Sequence, residues 1–200
     1  MSIASPGARF RLAPLLVLLS LAACATPPAP SIYLHPNADL ASFRQVAVLP
    51  LDNLTSDRFA GERVREILMV ELLAGGVFEP REVGEVNRVL RVANLPGLTD
   101  LGPQQVAKLG KDLGVQALIM GSVMEYTERR VGTLTAPQVA LSLKMIDCET
   151  GAAVWSVADA RTGLSTSTRL FGVGEETSSQ AVRELVRQLL DELLLAAGYE

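Results

Sequence analysis

The sequence holds one histidine, two cysteines and little aromatic surface, with Phe, Trp and Tyr together at 4%. Each shortage excludes something. A single histidine, His35, removes the commonest general base and the commonest metal ligand from any cluster of such residues. A Ser-His-Asp triad is therefore not available, and neither is a zinc site built from His and Cys. Two cysteines, Cys24 and Cys148, allow one disulfide at most. Basic residues are not in excess, at 18 Lys+Arg against 22 Asp+Glu, so nothing points to nucleic acid. The apolar run Leu12 to Ala23 is interrupted by Ser20 and contains Pro14. At about 12 residues it falls short of the roughly 20 that a membrane-spanning helix needs.

What is present at the start of the chain is a short positive segment, Arg9 and Arg11, then that apolar run, then small residues before Cys24. This is the layout of a secretory signal peptide. Leu21-Ala22-Ala23-Cys24 resembles a bacterial lipobox, in which the peptidase cuts before a cysteine whose thiol already carries diacylglycerol. The bland alternative is an ordinary signal peptide with an incidental cysteine. Ala25 stands where this class of signal would need Asp for inner-membrane retention, so the resemblance implies the periplasmic face of the outer membrane. The following ATPPAPSIYLHPNAD carries Pro27, Pro28, Pro30 and Pro36 and favours extended backbone. The expected organisation is a signal peptide over 1–23, a lipidated proline-rich tether over 24–42 and one domain over 43–200. Cleavage removes Arg9 and Arg11, which leaves 16 basic against 22 acidic residues and a formal charge of −6. With Cys24 lipidated, Cys148 in DCETG has no partner in the chain. It is then a tolerated free thiol or half of an intermolecular disulfide.

The domain alternates strand and helix signals. RQVAVLPL, 44–51, reads as a short buried strand. Residues 59–76 follow with helical spacing at Phe59, Val64, Ile67, Leu68 and Leu72, stopped by Gly75 and Gly76. A short strand over 77–81, a helix marked by Val83, Val86, Val89 and Leu90, and a helix over 103–113 opened by Pro103 come next. VQALIMGSVMEY, 115–126, is a strand with both faces covered at its start. VALSLKMID, 139–147, alternates apolar and polar residues, and AAVWSVADAR, 152–161, returns beside it as a hairpin. Trp155 reads as core. The last helix, 175–198, carries an apolar stripe from Val182 to Leu193. The fold class is α/β: a single domain with helices packed on a mixed sheet, parallel first and an antiparallel meander in the second half.

No motif carries catalysis. Asp52, Asp57, Glu62 and Glu66 gather near one helix start, where acids favour the helix dipole. FGVGEE, 171–176, lacks the Lys-Ser/Thr that a phosphate loop requires and puts two acids in their place. TERRVGTLTAP, 127–137, reads as a solvated hairpin tip, or as a contact to a partner or to lipid headgroups through Arg129 and Arg130. The chain is expected to be no enzyme and to need no cofactor or metal.

Three stretches carry a family resemblance: VAVLPLDNLTSDRFAGERVREILMVELLAGGVFEPREVGEVNRVL, LGKDLGVQALIMGSVMEY and LKMIDCETGAAVWS. Together they resemble the curli-secretion (CsgG-like) lipoprotein family, over about residues 44 to 197. Its relatives include the TolB amino-terminal type of domain, the PelC lipoprotein and the LpoB activator. The resemblance implies a lipid-anchored, non-enzymatic periplasmic domain, often assembled into rings. The curli-type pore also inserts two hairpins per subunit, and a membrane strand needs about 9–11 residues. Neither TERRVGTLTAP nor RTGLSTSTRLFGVG has that pattern, so a pore is not expected of this chain. The expected function is an outer-membrane-anchored component for assembly or export of a surface polymer, with self-association and envelope proteins as partners. The alternative is a tethered regulator of a cell-wall synthase, which needs a longer reach.

Overall fold

The computed structural model describes residues 30–95, 98, 101–131, 134–163 and 177–199. Among these, seven strands form one mixed sheet: β1 Ser31–Leu34, β2 Gln45–Val48, β3 Asp52–Asn53, β4 Glu79–Pro80, β5 Ala117–Val131, β6 Leu134–Asp147 and β7 Ala153–Thr162. The order is β1-β7-β6-β5-β2-β4, with β3 also pairing β5. The pairings of β2 with β4 and β5 are parallel, and those among β5, β6, β7 and β1 are antiparallel. The expected class and its division into a parallel and a meander half are both present.

The helices are α1 Ala60–Gly75, α2 Val83–Ala93, α3 Pro103–Leu113 and α4 Ser178–Ala196. Their ends are set by local chemistry. Gly76 and Gly114 take left-handed backbone after α1 and α3, which glycine adopts without a Cβ penalty. Thr177 and Gln180 cap α4 reciprocally through side chain and amide.

Strand alternation divides the interior into two cores. Val46 and Val48 of β2, Ala117 and Ile119 of β5, Leu141, Leu143 and Met145 of β6 and Trp155 of β7 face α1 and α4. Ala47 and Leu49, then Leu118 and Met120, face α2 and α3 on the other side. β2 and β5 are therefore apolar on both faces, and β6 adds Ile146 near its end to the second core. Ser142 and Lys144 of β6 and Ser156 and Ala158 of β7 are half-buried, which matches their polar or small character.

Three differences from the sequence reading matter. The tether does not run to residue 42. Ser31–Leu34 adds to the sheet beside β7, and Leu40 is buried in the core. His35 is tied down as well, its amide donating to the Val154 carbonyl at 3.0 Å. Residues 127–131 and 134–137 are not a loop. They lengthen β5 and β6 into a two-stranded arm beyond Thr162, the last residue of β7 in the ladder. Finally Phe59 precedes α1 and is exposed, so it is not part of the helix's apolar stripe.

Two polar or close contacts fix the parallel half. β4 is so short that its ladder to β2 ends at Val46, whose carbonyl accepts from the Arg81 amide at 2.8 Å. The next outward carbonyl, Val48, has no strand to meet it. Arg65 of α1 fills the gap: its Nε and Nη2 donate to Val48 O at 3.1 and 2.6 Å, and Nη1 donates to Asn87 Oδ1 of α2 at 2.9 Å. The guanidinium is buried, and burial lowers its pKa from the ordinary arginine value while the charge of Glu62 raises it. On the opposite face α3 lies close to the end of β6. A Cβ on Gly110 would stand 2.5 Å from Cβ and 2.6 Å from Sγ of Cys148.

Two outcomes are expected. Arg65→Met should lose about 1–3 kcal/mol in chemical denaturation, because it leaves the Val48 carbonyl buried without a donor. Unchanged stability would mean that carbonyl finds another partner. Gly110→Ala should cost about 1–3 kcal/mol by overpacking. Adding Cys148→Ala removes Sγ but keeps the Cβ that stands 2.5 Å away, so it should recover only part of that loss; full recovery would place the strain at Sγ alone.

Candidate functional site

Among the described residues no three His, Cys, Asp or Glu side chains gather into a group able to hold a metal. No helix among them is long and apolar enough to cross a membrane. Cys24 and the FGVGEE segment lie outside the described residues, as does RTGLSTSTRLFGVG after Gly163.

The acids near α1 serve its start. Asp57 Oδ1 accepts from the Phe59 amide at 2.9 Å and Oδ2 from Arg63 Nη1 at 2.7 Å. The Phe59 amide, with help from Arg63 and Arg58, holds the Asp57 carboxyl below its usual range. Glu62 lies in the first turn of α1, and Asp52 belongs to β3. These carboxylates are dispersed into separate local roles.

Cys148 is buried against α3, and its amide donates to the Gln116 carbonyl at 2.9 Å. Burial, aided by Asp147, pushes its thiol up to about 12 from an ordinary 9.0. The thiol is therefore protonated at neutral pH and shielded, which leaves it neither nucleophilic nor placed for an intermolecular disulfide.

What the surface offers is contact. The outer edge of the sheet is β1, with no strand beyond it among the described residues. Ile32, Tyr33 and Leu34 are all exposed there. An apolar exposed edge is a template for pairing with another chain. A second surface lies where α1 and α4 meet. Glu71 is buried and ion-paired to Arg187 at 2.8 Å and to Arg183 at 3.7 Å. A cleft of about 260 Å³ beside it is lined by Leu72, Gly75, Phe78, Arg187 and Leu194. A third is the β5–β6 arm, whose Glu128, Arg129 and Arg130 are exposed. At its base Arg63 sits 5.9 Å from the Tyr126 ring and 5.8 Å from that of Phe59.

Sequence reasoning missed the first two surfaces. β1 was hidden by the prolines around it. Glu71 and Arg65 were not singled out, although each adjoins the apolar stripe of α1, next to Leu72 and Val64 respectively. That adjacency was the available signal.

The three-layer α/β domain thus presents an open edge, a charged groove and an arm. Residues 40–197 match the family model of CsgG, the curli production assembly/transport component. The chain belongs to that family. Among solved structures it is similar to the PelC dodecamer from Paraburkholderia phytofirmans, with 22% identity and a TM-score of 0.58 over 82% of this chain and 96% of that one. It is also similar to lipoprotein GNA1162 from Neisseria meningitidis, with 15% identity and a TM-score of 0.55 over 76% and 99%. The LpoB C-terminal domain from Salmonella enterica is looser, with 20% identity and a TM-score of 0.44 over 59% and 82%. No curated protein matches the chain in sequence.

The buried thiol gives a testable pH dependence. Its pKa is raised on folding, so its contribution to stability is fully present below the unfolded value near 9.0 and is lost as pH climbs toward about 12. Denaturation midpoints should fall across that window in the wild type, and fall less in Cys148→Ala. At neutral pH a thiol reagent should leave Cys148 unmodified until the chain is unfolded. Ready modification of the native protein would contradict the burial.

Proposed function

We propose that the chain is a lipid-anchored, non-enzymatic component for assembly or export of a surface polymer, held at the periplasmic face of the outer membrane. The match to the CsgG family over residues 40–197 carries this reading. Cys24 in Leu21-Ala22-Ala23-Cys24 is the anchor, and more than one acyl chain on it would make attachment stable.

Self-association is part of the proposal. The PelC relative is a dodecamer, and the open β1 edge with Ile32, Tyr33 and Leu34 is the surface in this chain that supports it. The tethered-regulator alternative depends on reach. With β1 starting at Ser31, six residues separate Cys24 from the sheet, and the seven residue steps from Cys24 to Ser31 span at most about 25 Å. That span favours a component working close to its membrane.

Mass spectrometry of the amino-terminal peptide tests the anchor: an acylated Cys24 is expected, and a free or disulfide-bonded Cys24 would remove the basis for the location. Light scattering of the detergent-extracted protein tests assembly. A discrete oligomer is expected, and Ile32→Lys should shift it to monomer while leaving the melting temperature nearly unchanged, since the residue is exposed. A strict monomer in the wild type would overturn the assembly reading.

A further inference from the structure

The register of the sheet fixes which end of the domain the anchor approaches. Ser31, the first residue of β1, lies opposite Ala158 of β7, which lies opposite Ser142 of β6. Leu34 lies opposite Trp155, which lies opposite Met145. β1 and β6 therefore run in the same direction, two strand spacings or about 10 Å apart. The chain comes into β1 from the end of the sheet where β6 begins, and that is the end with the β5–β6 arm.

The lengths then constrain the contact. From the level of Ser31, β6 continues eight residues to Leu134, about 27 Å at roughly 3.4 Å per residue. From Ser31 back to Cys24 is seven residues, at most about 25 Å. The tether is thus no longer than the arm beside it. Even at full extension the tether reaches no farther than the arm. Pro27, Pro28 and Pro30 favour extended backbone by composition.

The arm is also chemically suited to that plane. Arg129 and Arg130 pair across the ladder with Ala136 and Thr135. Both are exposed, and neither makes an ion pair among the described residues. Residues 127–138 carry these two cations against one acid, Glu128. The mature chain as a whole is expected to be at −6. A positive projection on an acidic protein, placed at the anchored end, fits a negatively charged surface.

We infer that the β5–β6 arm rests on the phospholipid surface that holds the anchor, with Arg129 and Arg130 against anionic headgroups. This rests on the proposed lipidation of Cys24. The arm acts as a strut: tether and arm together fix the orientation of the domain, with the Glu149 turn between β6 and β7 facing away from the membrane. The contact is with headgroups. The five residues of β5 beyond Tyr126 are too few to cross a bilayer, where a strand needs about 9–11.

The test uses the mature lipidated protein in vesicles of phosphatidylethanolamine and phosphatidylglycerol. A fluorescent probe is placed at Thr135→Cys on the arm or at Glu149→Cys at the far end, both exposed positions, while buried Cys148 stays unlabelled. The expected result is a several-fold loss of access to an aqueous quencher at Thr135 and none at Glu149. Arg129→Glu with Arg130→Glu, or replacement of phosphatidylglycerol by phosphatidylcholine, should restore access at Thr135. Equal access at both positions, or shielding at Glu149 instead, overturns the inference. Shielding at Thr135 that persists without vesicles in the soluble Cys24→Ser form also overturns it, because a second copy would then cover the arm. Energy transfer from the Thr135 probe to acceptors within the hydrocarbon at contact range would overturn it in favour of insertion. Failure of the protein to float with vesicles at all, with an unacylated Cys24 by mass spectrometry, would instead be a failure of the anchoring on which the inference rests and would withdraw it.

Discussion

The guanidinium of Arg65 on the carbonyl of Val48 is the contact on which the parallel half of the fold depends. A sheet ends where its last carbonyls are satisfied, and β4 ends after two residues. Covering the end of β2 with apolar side chains alone would leave a buried acceptor without a donor, at a cost of about 1–3 kcal/mol. Arg65 supplies two donors to that carbonyl and a third to Asn87, so one side chain joins the last turn of β2 to helices on opposite faces of the sheet. Among the described residues no carboxylate is hydrogen-bonded to it. The fold carries the desolvation of a cation in order to keep a short edge strand.

Much of the architecture was legible because burial leaves its mark on sequence period. VQALIM is apolar at every position but one, and the structure covers both of its faces. VALSLKMID alternates, and the structure covers one. Pro103, Gly114 and the Gly75-Gly76 pair punctuate the helices where the backbone requires them. Where the reading missed, the deciding partner lay far away in sequence. SIYL looks like part of a proline-rich linker, and becomes a strand because β7 offers it a ladder. TERRV and TAPQ look like a turn, and become strand because the hairpin nucleated by β5 and β6 continues past the point where helices cover it. Edge strands with exposed side chains leave no period to read, because burial does not select their residues.

The candidate anchor and the candidate surfaces differ in the same way. Cys24 is recognisable from its neighbours in sequence, because a lipobox is a linear motif. The β1 edge and the Glu71–Arg187 groove are products of tertiary placement. Glu71 and Arg187 are 116 residues apart. No local pattern joins them, and a charged residue beside an apolar stripe is a weak sign of burial until the facing helix is known.

The close approach of Gly110 to Cys148 has a consequence for biogenesis. A chain that crosses a membrane unfolded and emerges among disulfide-forming catalysts exposes every thiol it has, and a solitary thiol is then open to capture in mixed disulfides. The cover over Cys148 comes from α3 and the strand after it, through Gly110, Val115 and Gln116, all fewer than 40 residues upstream. Contacts this near in sequence form faster than long-range strand pairing. The cover over this residue is therefore built within one stretch of the chain, whereas β1 reaches β7 across more than 120 residues.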